Sequence, residues 1–166
     1  MSAVVGCSKR VHAPPVRTIL LEQLRNTSTN EDWFVPLKKA TSGLTAQQAN
    51  WQDSTDNHSI GQLVSHLIFW NERILTAFQA KTAADFNGDN EVTFRRFTSI
   101  GWQQALARLD STQINWYQSV ENATDKQLAA WSSSIANVCS HNAYHTGQII
   151  YISKKNGWWP EPQVKK

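Results

Sequence analysis

The chain has 166 residues, 40% of them hydrophobic and 17% charged, which suits one globular domain with its own core and excludes a disordered chain. Sixteen Lys and Arg against thirteen Asp and Glu leave a net charge of +3. The basic residues fall in scattered pairs such as Lys38-Lys39 and Arg95-Arg96, with no stripe interleaved with aromatics, so no nucleic-acid partner is expected.

Residues 1–13 read as a flexible tail and 14–166 as a single domain. Val4-Val5-Gly6-Cys7 is similar to a lipoprotein cleavage site, but no basic start or apolar stretch of about 7–15 residues precedes it. No apolar run approaches the roughly 20 residues of a membrane span, so no membrane partner is expected either. Two cysteines, Cys7 and Cys139, make no disulfide framework, and a cytoplasmic location is expected.

Pro14-Pro15 is a plausible helix start, and VRTILLEQLRN follows with Ile19, Leu20 and Leu24 on one side. NTSTNED breaks that helix. A short piece, PLKKATSGL, ends at Gly43, and Thr45 caps a further turn, TAQQANW. From about Ser59, Ile60, Leu63, Leu67, Trp70, Ile74 and Phe78 recur at helical spacing until the pattern fades at Lys81. Residues 82–97 carry Asn87-Gly88-Asp89-Asn90 and read as a long connection. Such a connection can cross the end of a bundle, so the helices it joins need not be antiparallel neighbours.

The next helix starts near Thr98 or Ser99, uses Trp102, Ala105, Leu109, Ile114, Trp116, Tyr117 and Val120, and ends near Asn122. ATDKQLAAW reads as another short turn. The last helix spans about Ser134 to Asn156, with Gly157 at its C-terminal end and Pro160 beyond. The expected fold is all-α: a four-helix bundle with short extra helical turns and a long connection between its second and third helices.

On the last helix, Ile135, Val138, Ile149 and Ile152 define the apolar face, and His141 and His145 fall among them. A buried neutral imidazole is costly unless its nitrogens find partners. Spacing i, i+4 lets two imidazoles share a metal ion, each at about 2.0–2.1 Å. His66, at the edge of the apolar face of the second long helix, is the candidate third ligand. Three His with an open position is the pattern of a catalytic metal. Core histidines bonded to backbone carbonyls have the same spacing, so the pair alone is a weak signal. The stretch is His-Asn-Ala-Tyr-His, without the Glu that a zinc protease uses as general base, so peptide hydrolysis is not expected.

Three stretches carry a family resemblance: HSIGQLVSHLIFWNERIL, HNAYHTGQIIYISKKNG and, between the first two helices, EDWFVPLKKATSGLTAQQANW. Together they resemble the DinB/YfiT-like superfamily of metalloenzymes, four-helix bundles, over about Val16 to Trp159. The resemblance implies that His66, His141 and His145 bind one divalent metal, Zn, Ni or Mn. It also implies a homodimer and a small-molecule substrate such as a low-molecular-weight thiol, activated for S-transfer. Metal-assisted hydrolysis, or metal binding without turnover, stays as the alternative.

Around these ligands, Gln148 is one turn beyond His145 and suited to orient it. Asn142 lies within reach of an open coordination position, and Trp70, one turn after His66, is placed either to wall a pocket or to pack in the core. His58 reads as a helix-terminus residue and His12 as solvated. Tyr144 reads as packing and Gly147 as a point of close helix approach. Cys139, about 200° from His141 on the wheel, is not a fourth ligand and reads as a small buried thiol. Trp158-Trp159 are expected to fold back on the bundle.

Overall fold

A computed structural model describes residues 15–54, 57–82 and 85–160; the N-terminal tail, with Cys7 and His12, lies outside the described residues. Six α-helices appear in order: α1 (Val16–Ser28), α2 (Leu37–Thr41), α3 (Ala46–Ala49), α4 (Ile60–Phe78), α5 (Ser99–Glu121) and α6 (Asp125–Lys155). Among the described residues there is no strand, and no helix is long and apolar enough to cross a membrane. The long helices α1, α4, α5 and α6 form the bundle, while α2 and α3 are short extra turns.

Local chemistry sets most of the helix starts. The Thr45 and Ser59 side chains each accept a backbone N–H three residues on, from Gln48 and Gln62, whose side chains accept from the cap backbone in return. Thr98 caps α5 through Gly101 N–H. Helix α4 stops at Phe78, where Ala80 takes a φ of 55° and Lys81 N–H reaches back to the Thr76 carbonyl. The connection that follows is not featureless: Asn90–Thr93 form a 3-10 turn, with the Asp89 side chain accepting the Glu91 N–H. Helices α4 and α5 pack directly on each other in spite of this connection.

The last helix is longer than its sequence expectation. ATDKQLAAW is not a separate turn: α6 begins at Asp125, capped by Thr124, and runs 31 residues without a break. No Gly or Pro lies between Asp125 and Ser134, and Leu128, Ile135, Asn142 and Ile149 carry one buried stripe at seven-residue spacing. Ile19 and Ile114, expected on inner faces, are 42% and 57% exposed. Leu20, Leu24 and Thr27 form the inner side of α1, and Leu109, Thr112, Gln113 and Trp116 that of α5. Trp158 and Trp159 do return to pack on the core, and Trp158 meets Trp51 edge to face at 5.7 Å.

The apolar core comes in two parts. One lies around Leu63, Leu67, Trp102 and Ile149, the other around Leu24, Phe78, Trp116 and Ile135. Between these residues, along α4, α5 and α6, a belt of buried polar side chains interrupts the core: Asn71, Thr112, Gln113, Asn142 and Thr146. His66 and His145 are buried beside this belt. Buried polar groups need partners, and most of these have them: Asn71 and Asn142 exchange amide hydrogen bonds at 2.7 and 3.1 Å, and Gln113 donates to Asn71 at 3.2 Å while its own side-chain oxygen has no partner among the described residues.

Candidate metal centre

Helix α4 brings His66, and α6 brings His141 and His145, to one point at the side of the polar belt. Their ligand atoms all lie within 4.8 Å of one another, and among the described residues no other His, Cys, Asp or Glu joins them. His141 Nε2 is 3.1 Å from His66 Nε2 and 3.0 Å from His145 Nε2. A tetrahedral ion at about 2.0–2.1 Å from each nitrogen holds such pairs about 3.3–3.4 Å apart, so these two pairs need only a few tenths of an ångström of adjustment to share one.

The outward nitrogens fix the proton positions. The Thr93 hydroxyl donates to the Asn90 carbonyl at 2.7 Å, so toward His66 Nδ1, 2.6 Å away, it accepts. His145 Nδ1 lies 2.6 Å from the Gln148 carbonyl oxygen, again an acceptor. Both imidazoles therefore carry their proton on Nδ1 and point a bare Nε2 lone pair inward. His141 can offer one Nε2–H to this pair and cannot satisfy both with good geometry. Converging lone pairs without enough protons are what a cation resolves, so the residues present fit a metal ion.

The electrostatics agree. Burial, then His145, His141 and His58, push the His66 pKa down to about 3. Burial and then His145 push His141 down to about 4. Burial lowers His145 too, with the Gln148 hydrogen bond opposing it and His58 adding to it. Each imidazole is neutral near pH 7, the form that binds metal.

The other sequence candidates take varied places. Trp70 stands edge-on to His66, ring centroids 6.4 Å apart, and its indole N–H bonds Asn90 at 3.1 Å, so it flanks the site. Asn142 does not face an open coordination position; it is fully buried, with its amide paired to Asn71. The two side chains meet in the core because α4 and α6 pack at this level. Tyr144 is 64% exposed and meets His145 edge to face at 4.9 Å rather than packing inside. Gly147 is not a point of close helix approach either, because an added Cβ would find nothing within 4 Å. Cys139 is a buried free thiol whose pKa burial pushes up to about 11, against a hydrogen bond with Thr27.

Sequence reasoning missed Thr93 and Phe94, which lie in the long connection. Phe94 stacks on His66 at 4.2 Å and on His58 at 3.6 Å, so His58 belongs to the surroundings of the site and not merely to a helix end. The capping Asp89 ahead of the 3-10 turn was the one local signal that this segment is ordered.

A cleft of about 770 Å³ opens beside the triad, against Tyr144 and Gln148, both of which touch His145. Trp51 and His58 line it across from α6, and Asp53 pairs with Lys155 of α6 at 3.0 Å.

The family model described as the DinB superfamily matches residues 36–149, a span that takes in all three histidines and Gln148. Comparison with curated proteins and with solved structures finds no match.

Proposed function

The chain belongs to the DinB superfamily, and from that premise we propose that it binds one divalent metal ion at His66, His141 and His145 and uses it to activate a low-molecular-weight thiol. The observation that carries this reading is the convergence of the three Nε2 atoms, two of them bare lone pairs fixed by Thr93 and Gln148. An all-imidazole set favours Zn or Ni over Mn, which prefers oxygen ligands. Such an ion, when bound, makes a coordinated thiol a thiolate at neutral pH.

The chain's own residues do the rest. Thr93 and Gln148 hold the rings in place, burial keeps them unprotonated, and the cleft beside Tyr144 and Gln148 takes the body of the substrate. In the transfer, the thiol gives its proton to solvent. Its sulfur pair then forms a bond to an electrophilic carbon, and the leaving group departs with its electron pair. A reducing cytosol is the compartment we assign to this chemistry, and the unpaired buried Cys139 is in keeping with it.

Elemental analysis of untagged protein beside His66→Ala, His141→Ala and His145→Ala tests the site. Near-stoichiometric metal lost in each variant is expected. Protein that stays metal-free after incubation with Zn and Ni, or equal thiol-plus-electrophile turnover in wild type and His145→Ala, would overturn the reading.

A further inference from the structure

A glycine in the interior of a long helix is among the most destabilising of residues there, and it needs a reason. Even in the first turn of α4, Gly61 has one: a Cβ at that position would meet the Ala49 carbonyl oxygen at 3.1 Å, so it lets α4 lie against α3. Gly147, in the C-terminal half of α6, has no such reason. Nothing lies within 4 Å of its would-be Cβ, and its backbone is not in the left-handed region. Instead it lines the cleft beside the triad.

The neighbours of Gly147 give that cleft a direction. Tyr144, Tyr151 and Lys155 share one face of α6 with it, three residues before it and four and eight after it, and the adjacent Gln148 lines the same cleft. Tyr144 and Tyr151 stand 64% and 67% exposed on either side of the glycine. Leu63 and Trp51 supply apolar surface to the same cleft. The Asp53–Lys155 pair closes its far end, about 10–15 Å along the helix from His145 once the lean of the lysine side chain toward the N-terminus is counted.

We propose that Gly147 keeps open a slot for the middle of the substrate, and that the substrate is therefore an extended low-molecular-weight thiol with a charged far end, not a compact one. This rests on reading the triad as a metal–thiol site. The sulfur would lie at the His145 end, the body would cross the glycine between the two tyrosines, and an ammonium or carboxylate would meet Asp53 and Lys155. A side chain at position 147 would fill the slot and leave the three ligand histidines themselves unchanged.

The test is a calorimetric titration of the zinc-loaded protein with two probe thiols, extended zwitterionic glutathione and compact 2-mercaptoethanol, on wild type, Gly147→Ala and Gly147→Leu. Zinc content is measured alongside. Gly147→Ala should raise the thermal midpoint by about 2–4 °C, since the glycine is held against its helix cost. In Gly147→Leu the glutathione Kd should rise at least tenfold, with zinc content kept and the 2-mercaptoethanol Kd within twofold of wild type. Equal glutathione affinity in wild type and Gly147→Leu, with both thiols binding, would overturn the slot alone. Zinc-loaded wild type that binds neither thiol would overturn the thiol reading and the slot with it.

Discussion

The Thr93 hydroxyl lies 2.6 Å from His66 Nδ1 and spends its own proton on the Asn90 carbonyl, so it holds His66 in the tautomer that bares Nε2. Thr93→Val keeps the shape and removes the acceptor. Metal affinity should then fall about 10–100-fold, the usual effect of losing such a partner. Competition against a chromophoric chelator measures this. An unchanged affinity in a folded variant would mean that Thr93 does not set the ligand.

The Asn71–Asn142 pair makes a different forecast. Both amides are buried and bond each other, and Asn71 is held as well by the Leu67 carbonyl and by Gln113. Asn142→Leu removes one partner from each end of the Asn71 amide, which keeps its bond to the Leu67 carbonyl and the one it accepts from Gln113, and should cost about 1–2 kcal/mol. The double variant Asn71→Leu/Asn142→Leu should cost less than the sum of the two single changes, since it leaves no orphaned partner in the pair. Urea unfolding of the four proteins completes the cycle, and simple additivity would show that the two amides are not coupled.

Metal-free protein should lose stability in mild acid. His66 and His141 titrate in the fold at about 3 and about 4, below the ordinary value of 6.5, chiefly because burial disfavours imidazolium. Between those limits the unfolded chain binds more protons than the folded one. Stability is therefore full above pH 6.5 and declines as pH drops below it, by at most about 1.4 kcal/mol per pH unit for each histidine. The chelator-treated protein should show a lower urea midpoint at pH 5 than at pH 7.5, and a His66→Gln/His141→Gln/His145→Gln variant should show a much smaller drop. Equal drops in both proteins would place the acid sensitivity elsewhere.

Much of the frame was legible from local pattern. The Thr45, Ser59 and Thr98 caps, the spacing along α4 and the i, i+4 pair on α6 are all events within one turn of helix. Where reading failed, a local cue was over-weighted or absent. The run of serines at 132–134 looked like a helix start, yet the apolar stripe from Leu128 to Ile135 carries α6 straight through it. Gly147 looked like a packing glycine until its empty surroundings were seen.

By itself the sequence determined an all-α chain, the approximate helix spans and two imidazoles above one another on α6, because helical periodicity and capping depend on residues a few positions apart. Only the tertiary structure decided that Ile19 and Ile114 face outward, that Thr93 meets His66 across 27 residues, and that Asn142 finds Asn71 across 71. Such pairings depend on how far one helix is shifted along another and how it is turned, and those two quantities are set by the packing of the whole bundle.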